Sequence, residues 1–314
     1  MVAPQVETEK EYVMINFRSI THFAGFYIFY GLSWPLLRLP LNILYLLSDL
    51  FFILSFYFPG YRKKVVFNNL HNSFPEKTDK EIRKIARAFY QHMCDSLIES
   101  FAAVNMSKEQ ISRRCVWKNP EILENYFLKG RSVISVFGHY GNWEWFSGLP
   151  LYTNYTVLAL YRPLRNSHFD RFMKSLRQKY GLKAIPVRRG YQVIREYQRK
   201  RVPTVTYFLS DQRPARDKIG YWTRFLNQDT PVMLGAERIA RRLNQVVVFF
   251  SVNKLKRGYY EVEIIPVTEQ PQSTADYEIT GMHLRLLEEQ ITRNPEYWLW
   301  SHKRWKHKKP KVKQ

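Results

Sequence analysis

The sequence predicts an α/β fold: a central, mostly parallel sheet flanked by helices, with an apolar N-terminal helical membrane segment. Short apolar runs typical of strands alternate with amphipathic stretches typical of helices, and this order predicts the layered domain. A long apolar and aromatic region before residue 59 predicts the membrane segment. We therefore divide the chain into a helical segment (1–65), an α/β domain (66–300) and a basic C-terminal tail (301–314).

The N-terminal apolar run, Leu41–Phe58, has one acidic residue, Asp49, and approaches the ~20 residues that a spanning helix needs. Asp49 would cost a spanning helix about 2.5–3.5 kcal/mol. Three interpretations stay open: a single transmembrane helix, a pair of apolar helices embedded in one leaflet, or a buried core hairpin. The cations of Tyr61–Lys64 follow at once, and the positive-inside rule then places the downstream chain in the cytoplasm.

The rest of the chain predicts alternating helices and strands. Thr78 and Glu81 form a predicted capping box that starts a helix ending near Ala103. Further helical stretches are predicted at 107–115, 169–180, 191–200, 233–243 and 274–293. Strands are predicted at 132–137, 155–161, 183–187, 203–209, 245–252 and 259–266. From Ser301 the chain carries seven Lys or Arg and no acid, which predicts a mobile basic tail.

The composition is that of a folded chain with a strong positive charge. The 314 residues are 45% hydrophobic and 24% charged, which excludes disorder as the main state. Lys and Arg number 49 against 27 Asp and Glu, so the net charge is +22. Such a field attracts nucleic acid, anionic lipid headgroups and acidic carrier proteins. Two cysteines cannot form a disulfide framework or a four-ligand zinc site, and they fit a reducing compartment.

The sharpest local motif, Gly138-His-Tyr-Gly-Asn-Trp-Glu144, follows the first predicted strand. On one continuous helix, the five-residue step would leave His139 and Glu144 ~140° apart. The glycines interrupt such a helix, so a turn can bring both side chains together at the sheet's carboxyl end, where open α/β sheets bind ligands. A carboxylate beside an imidazole fixes its tautomer, and that imidazole can deprotonate a hydroxyl. The alternative is a His on a loop and a Glu on a surface helix.

Two more polar clusters follow predicted strands. Arg162 ends one strand and Arg177 lies on the helix after it, while Asp211 ends another strand. Side chains at several strand ends can meet in one cleft, and Arg can bind phosphate with two hydrogen bonds. The alternative for each cluster is ordinary ion pairing at the surface.

Taken together and in order, these motifs resemble the late (secondary) acyltransferases of lipid A biosynthesis, within the lysophospholipid acyltransferase superfamily. The resemblance spans most of the chain and goes beyond any single motif. The matching pieces, besides the apolar N-terminus, are Asn68–Pro75, Gly138–Glu144, Tyr161–Pro163, Arg177, Asp211 with Gln212, Phe225, Gly235–Ala240 and Pro295–Trp305.

The resemblance implies a role for each candidate site residue. His139 would be the general base that activates an acceptor hydroxyl, and Glu144 would support it. Arg177 and Asp211 match positions that the family needs for activity, and Arg162 would help to hold an anionic substrate. The resemblance implies no metal, no cofactor and no covalent acyl-enzyme. Backbone N–H groups after Gly138, or an Arg, are the expected oxyanion donors.

The resemblance also implies partners and a location. The acyl donor would be acyl-carrier protein or acyl-CoA, and the acceptor a membrane glycolipid, the lipid A precursor, at the cytoplasmic face of the cell inner membrane. The +22 charge suits an anionic membrane surface. Related branches acylate mannosylated phosphatidylinositol or amino-acid-containing lipids, so another acceptor is the first alternative. Two other classes are a basic nucleic-acid-binding protein and a non-catalytic membrane scaffold. We expect no nucleic acid as a partner, because the chain has no recognisable nucleic-acid motif.

Overall fold

The computed structural model describes residues 23–310, except for residues 24, 29, 33, 37 and 59. The described residues between 23 and 36 are mostly helical. The α-helices that follow are α1 Leu41–Tyr57, α2 Lys63–Ser73, α3 Asp79–Ala102, α4 Lys108–Arg114, α5 Glu121–Leu128, α6 Ser167–Gln178, α7 Gly190–Arg199, α8 Gly235–Leu243 and α9 Glu278–Arg293. The strands are β1 Cys115–Trp117, β2 Val133–Phe137, β3 Thr156–Tyr161, β4 Lys183–Pro186, β5 Thr204–Leu209, β6 Trp222–Phe225, β7 Gln228–Pro231, β8 Val246–Lys256 and β9 Tyr259–Thr268.

A seven-stranded sheet in the order β1-β9-β8-β2-β5-β3-β4 organises the domain. Its pairs are parallel except for β8 with β9, which form an antiparallel hairpin. Every residue of β2 is buried, as expected for a central strand covered on both faces. The predicted α/β fold with a mostly parallel sheet is confirmed. The carboxyl ends of β2, β5 and β3 lie side by side at one edge.

The strands β1, β6 and β7 escaped prediction because their sequences are short and lack a clear period, and the helices α2 and α5 were not predicted either. β1 has three residues, where the sequence predicted the end of a helix. β6 and β7 form a separate antiparallel hairpin, joined by Leu226 and Asn227, which both have positive φ. Such a two-residue connection matches the twist of a hairpin, but it usually contains Gly, so the usual sequence signal is missing.

Helix α1 packs one stripe of its surface onto the domain. Leu44, Ser48, Phe52 and Phe56 recur every four residues and are buried. Asp49 accepts hydrogen bonds from Arg257 (2.5 Å) and from Gln91 on α3 (2.8 Å), so the one acid of the apolar run is paired with the domain.

Helix α3 begins with the predicted capping box. Thr78 Oγ1 accepts from the Glu81 backbone N–H, and the Glu81 carboxylate accepts from the Thr78 N–H at 2.8 Å. The helix ends at Ala102, close to its predicted end.

Among the residues that the structure describes, no helix combines the length and the hydropathy needed to cross a bilayer.

The chain after residue 300 packs against the domain. Ser301, Arg304 and Trp305 are buried. Trp305 donates from Nε1 to Thr230 Oγ1 (2.7 Å), and Asn69 Nδ2 donates to the His302 carbonyl (2.9 Å). The prediction of a mobile tail is therefore wrong for these first residues, because burial of the Trp305 ring and its N–H hydrogen bond stabilise the packed conformation. Residues 311–314 and 1–22 lie outside the described residues.

Candidate active site

His139 and Asp211 meet because their strands are neighbours in the sheet. Phe137 at the end of β2 pairs in register with Leu209 at the end of β5. Each functional residue lies two positions beyond its strand, so the two side chains leave the same edge together. His139 Nδ1 and Asp211 Oδ1 are 2.6 Å apart. The topology thus builds a His–Asp pair at the carboxyl end of the sheet, where α/β proteins place their ligands.

The Asp211 carboxylate is buried and accepts hydrogen bonds on both oxygens. Its Oδ2 accepts from the His139 backbone N–H and from Trp298 Nε1, each at 2.8 Å. Burial alone would raise the pKa of Asp211, but the charge of His139 and the hydrogen bonds from His139 and Trp298 outweigh it and lower the pKa to about 2. Asp211 is therefore an ionised partner that orients the imidazole.

The hydrogen-bond network fixes the roles of the two ring nitrogens of His139. Because Asp211 accepts at Nδ1, that nitrogen carries the proton in the neutral ring. Nε2 is then the basic nitrogen, and it lies 3.2 Å from Gln212 Nε2, which can donate to it. Trp143 contacts the imidazole edge to face, with 4.9 Å between ring centroids. His139 lines the cavity described below, where a hydroxyl can approach the basic nitrogen.

Glu144 pairs with Arg177 instead of supporting His139. Arg177 Nε donates to Glu144 Oε2 (2.9 Å) and Nη2 donates to Oε1 (2.6 Å), a two-bond contact between α6 and the 3₁₀ helix Trp143–Leu151. Burial would lower the pKa of Arg177, but the bonds and charge of Glu144 raise it. The expected contact between Glu144 and the His139 ring is thus replaced by Asp211, because the neighbouring strand places a carboxylate nearer to Nδ1.

The backbone between β2 and the 3₁₀ helix is committed to holding His139. A Cβ at Gly138 would lie 2.7 Å from Leu287, and Gly141 has φ +60°, so both positions favour glycine. The N–H of Tyr140 donates to the Gly138 carbonyl and that of Gly141 to the Tyr297 carbonyl. With the His139 N–H bound to Asp211, these groups are not free to bind an oxyanion. The prediction of backbone N–H groups after Gly138, or of an Arg, as oxyanion donors therefore does not extend to these three groups.

A buried carboxylate on α3, Glu99, supports the same loop. Its Oε2 accepts from Asn142 Nδ2 and from the Tyr260 hydroxyl, both at 2.8 Å, and its Oε1 accepts from the Tyr45 hydroxyl at 2.8 Å. Trp145 Nε1 donates to the Glu99 carbonyl oxygen. One fully buried acid therefore connects α1, α3, β9 and the loop that carries His139.

The His139–Asp211 pair opens onto a cavity of about 1880 Å³. This volume exceeds the ~300–1,000 Å³ of ordinary small-molecule pockets. Much of the wall is apolar, with side chains such as Phe101, Met173, Leu176 and Leu182. Phe51, Leu54 and Leu97 also line the cavity, and 37%, 47% and 51% of their surface is exposed, so the cavity reaches the apolar outer surface of α1 and α3. The space suits a long apolar chain.

The polar residues of the wall include each remaining candidate from the sequence. Arg162, Glu144 and Arg177 line the cavity, and Arg162 is exposed at the end of β3. Within the described residues, no three His, Cys, Asp or Glu side chains lie close enough to hold a metal ion. The cavity thus combines one imidazole–carboxylate pair, one two-bond ion pair and further cations.

The comparisons with known proteins identify the family of the chain. The family model of the bacterial lipid A biosynthesis acyltransferases matches residues 15–307. The chain belongs to this family. It is similar to "Lipid A biosynthesis acyltransferase 2" of Shigella flexneri, with 22% identity over 235 residues and 74% of each chain covered. The chain is therefore an acyltransferase, and the resemblance stated from the sequence is confirmed.

Three residues of this acyltransferase site had no role in the sequence-based prediction. Gln212 was quoted only as part of a motif, although its position next to Asp211 was a usable signal. Trp298 lies more than 80 residues from the acid to which it donates, so no local pattern indicates the contact. Glu99 is one of several acids on an amphipathic helix, and only tertiary structure shows that it is buried.

Proposed function

We propose that this acyltransferase is membrane-bound and moves a fatty acyl chain to a hydroxyl of a lipid A precursor. Acyl-carrier protein or acyl-CoA is the thioester donor, and the reaction takes place at the cytoplasmic face of the inner membrane. The observation that carries the proposal is the His139–Asp211 pair at the wall of a large, mainly apolar cavity. The family membership supports the reaction, and the name of the Shigella flexneri relative supports the acceptor class.

The geometry supports His139 as the general base. Nε2 takes the proton of the acceptor hydroxyl as its oxygen attacks the thioester carbonyl carbon. The imidazolium that forms is stabilised by the ionised Asp211, which stays bound to Nδ1 at 2.6 Å. When the tetrahedral intermediate collapses, the C–S bond breaks and the leaving thiolate takes the proton from Nε2. The products are the new ester and the free thiol, and His139 returns to its neutral form.

The oxyanion of the intermediate needs a donor near Nε2. The backbone N–H groups of residues 139–141 are already used, as described above. The Gln212 side-chain amide lies 3.2 Å from Nε2 and lines the cavity. We assign it as the donor that turns from the imidazole to the oxyanion when the hydroxyl occupies Nε2.

The outer surface of α1 supports membrane attachment. Its exposed residues include Leu46, Leu50, Ile53 and Tyr57, whose spacing repeats every three or four positions opposite the buried stripe. An exposed apolar surface of this kind marks a contact with lipid or protein. Because the cavity reaches this same surface, an acyl chain or lipid acceptor can enter it from the bilayer without crossing water.

The test of the proposed function is His139→Ala in the purified full-length protein. Radiolabelled acyl transfer to the lipid A precursor should fall by about 10²- to 10⁴-fold, because general-base catalysis contributes that much. Vesicle binding should change little. The melting temperature should fall, because the buried Asp211 loses its bond from the imidazole, and the melting curve checks that the variant still folds. Transfer within about threefold of the wild-type rate would show that His139 is not the base. Mass spectrometry of cellular lipids with and without the protein would identify the acylated acceptor.

A further inference from the structure

One wall of the cavity carries a group of cations that the catalytic proposal does not use. Arg213, Arg216 and Lys218 lie on the segment after β5, and Arg238 lies in the first turn of α8. All four line the same cavity as His139. We call these four residues the cation wall.

The cation wall has no counter-charge of its own. Within the part of the chain that the structure describes, none of its four residues forms an ion pair with a carboxylate. The Arg213 guanidinium donates to the Lys303 carbonyl at 2.8 Å, and the Arg213 backbone N–H donates to His302 Nε2 at 3.5 Å. Like charges that line one cavity repel one another, and an anion bound among them would offset this repulsion.

The acids near the cation wall are either committed elsewhere or turned away. Glu144 is bound by Arg177, and Asp170 accepts from the Leu164 N–H at 2.8 Å. Asp217 lies between two wall residues in sequence, but it is exposed and does not line the cavity. The wall therefore presents its positive charge to the cavity.

Two further features add to the positive potential. The N-terminal residues of α8, Gly235 and Ala236, line the cavity, and the preceding Leu234 offers no side-chain cap to their N–H groups. Arg304 is fully buried, and its three guanidinium nitrogens have no hydrogen-bond partner among the described residues. Its charge acts on Asp211 and Arg213.

We infer that the cation wall is a binding subsite for a phosphate group of one of the two substrates. Guanidinium groups match phosphate oxygens with paired hydrogen bonds, and Lys adds a point charge. Arg213 follows Gln212 directly, so a phosphate held here lies next to the reacting groups. The inference rests on the proposed function, because the phosphate belongs either to the headgroup of the lipid acceptor or to the donor's carrier group.

The first test measures binding without catalysis. Inorganic pyrophosphate is titrated calorimetrically into the full-length protein in detergent, at about 0.15 M salt to screen long-range attraction. The variant carries Arg216→Met and Arg238→Met, and the control carries Arg195→Met and Arg199→Met on α7. The control loses the same charge from an exposed surface outside the cavity. We expect binding to weaken about tenfold or more in the wall variant, and less than twofold in the control.

The second test identifies the source of the phosphate. Steady-state rates are measured with the phosphorylated acceptor, with the same acceptor after phosphatase treatment, and with varied acyl donor. If the KM of the wall variant is about tenfold above that of the wild type only for the phosphorylated acceptor, the subsite binds the headgroup. If its KM rises only for the acyl donor, the subsite binds the carrier group. Each result supports the inference.

Separate results overturn the inference and the proposed function. Equal pyrophosphate binding by the wall and control variants, with every KM unchanged and wild-type transfer intact, overturns the phosphate subsite alone. Absence of acyl transfer by the wild-type protein overturns the proposed function, while the pyrophosphate titration still decides whether phosphate binds. All four substituted side chains are exposed, so we expect both variants to fold, and their melting temperatures check this.

Discussion

Replacing Asp211 by Asn tests whether this acid, and not Glu144, sets the state of His139. Both carboxylate oxygens accept N–H groups, one from the His139 ring and the other from the His139 backbone and Trp298. An Asn side chain has only one oxygen, so its NH₂ group must face an N–H donor in either orientation. If the NH₂ group faces Nδ1, the imidazole must carry its proton on Nε2, which is the wrong tautomer. If the NH₂ group faces the other side, the bonds from the His139 backbone N–H and from Trp298 are lost.

The size of the expected effect follows from these contacts. Loss of the correct tautomer and of the ionised partner should lower kcat by about 10²- to 10⁴-fold. The folded pKa of Asp211, about 2, is below its ordinary value of 3.8, and the difference corresponds to about 2 kcal/mol of stability. This stability is fully present above pH 3.8 and is lost as the pH falls towards 2. The stability gap between wild type and Asp211→Asn should therefore be largest near neutral pH and close in acid.

The measurement combines acyl-transfer kinetics with chemical denaturation at several pH values. Asp229→Asn, an exposed acid on β7, is the matched control and should change neither kcat nor stability measurably. If Asp211→Asn keeps kcat within about threefold and Glu144→Gln alone abolishes turnover, then Asp211 is not the functional partner of His139. A stability gap that does not depend on pH would show that Asp211 carries no linked proton.

Two further predictions concern the second ion pair and the outer surface of α1. Glu144→Gln and Arg177→Met should each lower kcat/KM in steady-state kinetics. The double variant should be little worse than the more damaging single variant, because each change breaks the same contact. Additive losses of kcat/KM would contradict this pairing. Replacing Leu46 and Leu50 together by Asp should weaken binding to anionic vesicles at least tenfold, because each leucine buried in the bilayer contributes about 1.5–3 kcal/mol. The control Leu128→Asp on α5 should bind the vesicles as the wild type does. Equal sedimentation of all variants with the vesicles would refute the membrane contact.

The fold was largely predictable because its signals are local. The strand β2 is a buried, mostly apolar run, and α3 begins with a capping box that the sequence shows directly. Elements defined by long-range contacts were not predictable in the same way. The packed segment after Ser301 has the composition of a tail, but Trp305 donates to Thr230 in the distant hairpin. The charge pattern of a sequence does not show which aromatic side chain is buried or which group accepts its hydrogen bond.

The site residues were predictable individually, but their pairing was not. His139 and Asp211 each follow a predicted strand, yet two other strands, β3 and β4, lie between them in the chain. Only the sheet order, in which β2 lies beside β5, shows that the two side chains emerge together. Sequence proximity favoured Glu144 as the partner, and sheet topology selected Asp211.

Glu99 extends this argument from the His139–Asp211 pair to the apolar helix. The same carboxylate accepts from Tyr45 on α1 and from Asn142 in the loop that carries His139. A buried carboxylate that loses a hydrogen-bond donor is destabilised because its charge is less well satisfied. Separation of α1 from the domain would therefore disturb Glu99, which also holds the loop that carries His139. The helix that presents the apolar surface and the loop that carries His139 are thus one structural unit, held by the same buried hydrogen bonds.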